Sequence, residues 1–187
     1  MTPRDADLYY NLGLVFHQQG DLEAAVAEYK KAIEIDPQHS AAYYCLGNIY
    51  KAQGNLEPAE VAYKNAIQIN PKDADAYHNL GLVYYSQGDL EAAVTEYKKA
   101  IQINPQNVLI YYNLALAYAL KNEVVLSVES LQAAMNLDEE TVAKARLDSG
   151  FDRIRESLEF QDFIKFKLQE INGVVHRNDS GIKRQNG

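Results

Sequence analysis

Apolar positions along the chain follow a helical rhythm that restarts every 34 residues. With Ala6, Ser40, Ala74 and Val108 as first positions, the fourth is Tyr9, Tyr43, Tyr77 and Tyr111, and the seventh is Leu12, Leu46, Leu80 and Leu114. The eleventh is Phe16, Tyr50, Tyr84 and Tyr118. A second stripe follows: Ala25, Ala59 and Ala93 at the twentieth position, Tyr29, Tyr63 and Tyr97 at the twenty-fourth, and Ala32, Ala66, Ala100 and Ala134 at the twenty-seventh. Spacings of three and four put each stripe on one helix face, so every unit predicts a hairpin of two helices.

The breaks between helices fall where that reading needs them. Gly20-Asp21, Gly54-Asn55 and Gly88-Asp89 divide the two stripes, with glycine for a left-handed helix end and Asp or Asn to cap the next helix. Between units stand Asp36-Pro37, Asn70-Pro71 and Asn104-Pro105, where proline stops a helix and Ser40, Asp73 or Asn107 can cap the next. Pro58 falls in the first turn after Asn55, where its missing donor costs little. Gly13, Gly47, Gly81 and Ala115 at the eighth position, with the small residues of the second stripe, let helices approach closely. A single hairpin cannot close its own core, and stacking several predicts an all-α, right-handed superhelical solenoid with an inner groove made mainly by the first helices.

The aromatic, Leu-Gly, aromatic, Gly, Ala, aromatic, Ala, Pro series at this period resembles the tetratricopeptide repeat. The resemblance covers three near-ideal copies, residues 6–39, 40–73 and 74–107, and a divergent fourth, 108–141, which carries Ala115, Asn122, Ser127, Leu131 and Glu139 in place of motif residues. It implies a scaffold role and names no partner. After the repeats, Thr141 is expected to cap a short helix ended by Gly150. Phe151, Ile154, Leu158, Phe160, Phe163, Ile164 and Leu168 then supply apolar area for capping helices over 142–172. This resembles the half-repeat that closes many bacterial arrays of the family. Residues 173–187 are expected to form a flexible tail, with a helical continuation through Val174 and Val175 as the alternative.

Composition narrows the function. The chain has 187 residues, 47% hydrophobic and 24% charged, with a formal net charge of −8. Residues 1–141 hold 19 acids against 9 bases, whereas 142–187 hold 7 against 9. Such a balance disfavours nucleic acid and anionic membrane surfaces as partners. With no long apolar run, the expectation is a cytoplasmic protein without membrane insertion. The single thiol, Cys45, allows no internal disulfide. His17, His39, His78 and His176 share no register, and no nucleophile, acid–base or phosphate-binding motif is found. No enzyme activity, metal or cofactor is expected.

The resemblance implies that first-helix positions not needed for the core face the groove. The fifth position is Tyr10, Tyr44, His78 and Tyr112; the sixth is Asn11, Cys45, Asn79 and Asn113. The ninth is Leu14, Asn48, Leu82 and Leu116, and the twelfth is His17, Lys51, Tyr85 and Ala119. Asn11, Asn79 and Asn113 form a broken ladder able to pair with the backbone of an extended peptide. It resembles the ladder in the superhelical arm of O-linked N-acetylglucosamine transferases, with Cys45 as its interruption. Most of the 14 tyrosines are motif core residues, which leaves Tyr10, Tyr44, Tyr85 and Tyr112 for a ligand. The clamp by which chaperone-binding members hold a terminal carboxylate is missing, since its places carry Tyr10, Leu14, Cys45, Asp75 and Asn79. The expectation is a protein-binding adaptor that holds a partner peptide or helix in the groove. The alternative is a self-associating structural or assembly-factor subunit of a larger complex, a homo-oligomer among its forms.

Overall fold

The computed structural model describes residues 3–182, so positions 183–187 of the expected tail lie outside the described residues. Among these are ten α-helices and no strand: α1 (Pro3–Gln18), α2 (Leu22–Ile35), α3 (Ser40–Ala52), α4 (Leu56–Ile69), α5 (Ala74–Gln87), α6 (Leu90–Ile103), α7 (Val108–Leu120), α8 (Val124–Leu137), α9 (Thr141–Leu147) and α10 (Leu158–Ile182). None of them is long and apolar enough to cross a membrane.

The chain divides into two compact units, Met1–Pro105 and Gln106–Gly187. In the first, α1–α2, α3–α4 and α5–α6 are antiparallel hairpins, and the second helix of each of the first two packs on the first helix of the next. In the second, α7 and α8 form a hairpin, α9 and α10 pack on α8, and a 3-10 turn at Ser149–Phe151 packs on α7. Sequence motif ends the repeats at 141, whereas compactness groups the fourth hairpin with the C-terminal helices. Its core explains the grouping: Tyr112, Ala115 and Leu131 share one apolar cluster with Phe151, Ile154 and Phe160.

The helix ends show which punctuation acts. Side chains of Asp21, Asp73, Asp89 and Asn107 accept from backbone N–H groups of the helices that follow them. Three expected caps are placed differently. Ser40 is the first helical residue, and His39 caps α3 through Nδ1, which accepts from Ala42 at 3.2 Å. Asn55 precedes α4 without a side-chain cap bond, its amide donating to Gln53 Oε1 instead. Thr141 is buried at the start of α9, so it is packed rather than capping. In the fourth hairpin Asn122 takes the left-handed turn, with φ 60°, that Gly88 takes in the third with φ 83°.

Beyond Leu158 the backbone is helical as far as Ile182, which includes the continuation through Val174 and Val175. A helix already nucleated over its first turns extends at little cost per residue, and Gly173 and Gly181 within it each remove only about 1 kcal/mol.

Inside each of the first three hairpins a glycine faces a tyrosine ring. A β-carbon on Gly13 would lie 2.5 Å from Tyr29 Cε1, on Gly47 2.7 Å from Tyr63 Cε1, and on Gly81 2.5 Å from Tyr97 Cε1. Tyr29, Tyr63 and Tyr97 are each fully buried. The fourth hairpin exchanges both partners at once, for Ala115 and Leu131, which are also fully buried. The tyrosine hydroxyls differ in their partners. Tyr63 donates to Asn48 Oδ1 at 2.7 Å. In the first and third hairpins the residue matching Asn48 is Leu14 or Leu82, and the hydroxyls of Tyr29 and Tyr97 are buried without a hydrogen-bond partner among the described residues.

Two stability predictions follow from this core. Alanine is favoured over glycine in a helix by about 1 kcal/mol, but at Gly81 the added methyl overpacks the ring at a cost of about 1–3 kcal/mol. Gly81→Ala is therefore expected to be net destabilising in urea unfolding, and Gly81→Ala with Tyr97→Leu less so than the sum of the two, by at least about 1 kcal/mol. Strict additivity would show that the ring and glycine do not constrain one another. The second concerns hydroxyls: Tyr63→Phe is expected to cost about 1 kcal/mol, whereas Tyr97→Phe is neutral or stabilising. Equal losses at both sites would contradict the hydrogen-bond assignment.

Candidate peptide-binding wall

The side chains expected to face a groove lie on α1, α3 and α5 of the first unit and on α7 of the second. On α1, Asn11 is exposed and makes no hydrogen bond to the described residues, while Leu14 and His17 are half-buried beside it. Tyr10 is also half-buried, its ring 4.8 Å from His39 and 5.8 Å from Tyr29. Burial, then the adjoining Cys45 thiol, push the Tyr10 phenol up to about 12. It stays a neutral donor through the physiological range.

On α3 the four positions divide. Tyr44 is half-buried, edge-on to Tyr63 at 6.0 Å. Cys45 is buried, joins the apolar core of the first two hairpins, and has its thiol pushed up by that burial. It is thus a packing residue and presents no reactive thiolate. Asn48 is half-buried and already accepts from Tyr63. Lys51 is half-buried, and desolvation holds its ammonium below the usual lysine range.

On α5, His78, Asn79, Leu82 and Tyr85 are all half-buried. The His78 ring lies 5.8 Å from that of Tyr97, and burial, followed by the charge of Lys51, lowers its pKa. Asn79 links two helices. Its Oδ1 accepts a short hydrogen bond from Lys51 Nζ, and its Nδ2 donates to Tyr44 Oη at 3.1 Å and to the Asp75 carbonyl at 3.0 Å. Asn79 is therefore engaged on both sides of its amide, unlike Asn11, and the expected ladder is not a row of equivalent rungs.

On α7 the same positions serve the molecule itself. Tyr112 is buried, donates from Oη to Asp148 Oδ2 at 2.6 Å, meets the Phe151 ring edge-on at 5.7 Å, and lies under Lys144 Nζ at 4.3 Å. Burial and the Asp148 carboxylate keep its phenol well above the ordinary tyrosine range. Leu116 touches Gly150 so closely that a β-carbon there would collide with it. Asn113 is half-buried. Tyr112 and Leu116 thus belong to the core that the C-terminal segment completes, and their expected exposure to a ligand is corrected by that segment's packing on α7.

Two residues outside the expected set shape the wall. His39, one of the histidines that share no register with one another, caps α3, lies tilted against the Tyr10 ring and places Nε2 3.3 Å from Asp7 Oδ1. Tyr63, a motif core residue, reaches Asn48 with its hydroxyl. His39 sits at the thirty-fourth position with Asp73 and Asn107, and that shared register was the available signal. For Tyr63 the signal was Asn48, the polar residue at an otherwise leucine position.

The comparisons with known proteins agree with this architecture. The model of the TPR repeat matches residues 13–54, 47–88 and 81–122. No curated protein sequence matches. A crystal structure of MamA protein is 32% identical over 78% of this chain and 79% of its own, with a TM-score of 0.68. A second MamA crystal structure is 22% identical over 88% of this chain and 96% of its own, with a TM-score of 0.71. YrrB, described as a TPR protein with an unusual peptide-binding site, is 20% identical over 91% of this chain and 90% of its own, with a TM-score of 0.70. With the repeat model covering most of the chain and the glycine, tyrosine and proline positions in register, the chain belongs to the tetratricopeptide-repeat family.

Proposed function

We propose that the chain is a non-enzymatic interaction scaffold, and that α1, α3 and α5 form a wall that holds a peptide segment of a partner protein. The repeats 6–39, 40–73 and 74–107 are its working units. The observation that carries this reading is Asn11, an exposed amide without a partner among the described residues, set beside half-buried Tyr10 and Leu14. Such an amide can donate to and accept from a guest backbone at once, while the apolar neighbours supply area. Asn48 and Asn79 add amides, and Leu82 and Tyr85 add apolar surface. The peptide-binding site of YrrB shows what the same fold supports in another protein. The proposal includes a cytoplasmic setting, which a lone buried thiol suits.

A random peptide library displayed against the full chain tests this reading. The selected peptides are expected to bind Asn11→Ala with Leu82→Ala at least about fivefold more weakly, the effect of about 1 kcal/mol, with helicity by circular dichroism unchanged. Equal binding by the folded double variant would exclude this wall.

A second reading, self-association, is supported by the surface of the second unit. Leu147, Leu158 and Phe166 there are 81%, 72% and 60% exposed, large side chains that a partner surface would shield. Sedimentation of the intact chain is expected to rise with concentration, and that of Leu147→Gln, Leu158→Gln, Phe166→Gln to stay monomeric. A wild-type chain that remains monomeric throughout would end this reading.

A further inference from the structure

We infer that Lys51 is a specificity determinant of the wall: it pairs with a single carboxylate, an Asp or Glu side chain set among apolar residues of the guest peptide. The inference rests on the wall reading above and adds the chemistry of its guest.

Lysines on the second helices have counter-charges of their own. Lys31 pairs with Glu28 at 2.7 Å, Lys64 with Glu60 at 2.6 Å and Lys99 with Glu96 at 2.9 Å. The lysine side chains there are 50%, 54% and 47% exposed and the glutamates 11%, 24% and 12%, so each half-exposed ammonium already has its counter-charge. Lys51 is in the opposite situation. It is half-buried on the first-helix wall and has no carboxylate partner among the described residues; its ammonium rests on the neutral amide oxygen of Asn79. A partly desolvated cation left on a neutral acceptor is a poor arrangement for stability. It is a good one for capture, because the desolvation is already met before the guest arrives.

The network around Lys51 adds a second consequence. In the free chain Lys51, Asn79 and Tyr44 form a linear relay, Nζ to Oδ1 and Nδ2 to Oη. A guest carboxylate that takes the ammonium releases Asn79 Oδ1, which then becomes an acceptor for a guest N–H. Acid recognition and backbone recognition are thereby coupled in one side-chain pair, Lys51 and Asn79.

Charge elsewhere limits the guest to one acid. Residues 1–105 hold 14 acids against 8 bases, and Asp7 and Asp75 stand at the second position of their repeats. A run of acids would meet that field, whereas one carboxylate in direct contact with Lys51 is screened from charges more than about 8 Å away at physiological ionic strength. The flanking wall residues Leu14, Leu82 and Tyr85 favour apolar neighbours. The place and logic differ from a terminal-carboxylate clamp, whose basic positions here hold Tyr10, Asp75 and Asn79.

The test selects random nonapeptides on the full chain and on its Lys51→Met and Lys51→Gln variants. Wild type is expected to select peptides that share one acidic position among apolar ones. In the best of them, Asp→Asn is expected to weaken binding to wild type about tenfold, the effect of one charge-assisted hydrogen bond, and to both variants less than about twofold. Melting temperatures of the variants are expected to equal or exceed wild type, because an unpaired, partly buried cation is removed. Peptides without an acidic preference, or an Asp→Asn loss of equal size in all three proteins, would overturn the inference and leave the wall reading standing. Failure of every protein to select any peptide would overturn both.

Discussion

The contact that the rest of the first unit depends on is a glycine on one helix pressed against a tyrosine ring on the next. Gly13 and Tyr29, Gly47 and Tyr63, Gly81 and Tyr97 approach so closely that a β-carbon would stand 2.5–2.7 Å from the ring. Close-packed interiors do not absorb such an overlap, so each pair fixes how near its two helices come and how they are rotated. Rotation decides which first-helix positions are left over. With the eighth position turned toward the hairpin partner, the fifth, ninth and twelfth positions of the first unit are half-buried. The fourth hairpin supports the same reasoning from the other side, because Ala115 accompanies Leu131: a larger residue on one helix is matched by a smaller reach on the other.

What the period could reveal was the face on which a residue lies; what it could not reveal was the partner it takes there. Gly20, Gly54 and Gly88 sit at positive φ as their motif position required. The glycine at the eighth position and the alanines at the twentieth and twenty-seventh implied close helix approach, but nothing in the period made the aromatic at the twenty-fourth, inside the same hairpin, the ring that the glycine meets. His39 was legible too, since it shares a register with the caps Asp73 and Asn107, but Ser40 is the stronger cap former by residue type and drew the assignment one position too far. Asn55 shows the converse: its register and type both favour capping, yet a local bond to Gln53 takes its amide. Alternatives within one hydrogen bond of each other are not resolved by spacing.

The polar residues of the wall lie beyond that limit for a further reason. Asn79, Asn11 and Asn113 are equivalent by repeat position, and a ladder would treat them alike. Their surroundings are not equivalent, because repeats differ at the positions that face them: Lys51 and Tyr44 reach Asn79 from the preceding first helix. Asn48 is similar. It replaces leucine, and the outcome is a satisfied Tyr63 hydroxyl where Tyr29 and Tyr97 have none. The amides at repeated positions therefore differ in how far the molecule's own hydrogen bonds already occupy them.

The fourth hairpin shows why position alone does not assign function. Tyr44 and Tyr112 hold the same place in their repeats, yet one is half-buried and accepts from Asn79 while the other is buried and donates to Asp148 beneath Lys144. A terminal hairpin has an apolar face with no successor to cover it, and here Phe151, Ile154 and Phe160 bury themselves to complete it. Each contributes on the order of 2 kcal/mol by leaving water. Gly150 permits the approach, because any side chain there would collide with Leu116. The consequence is a difference along a nearly uniform sequence: first-helix residues of the early repeats stay half-buried at positions whose equivalents in the last repeat, Tyr112 and Ala119, are buried in closing the core. Uniform tyrosines and leucines become distinguishable only when the segment that follows the repeats is folded onto them.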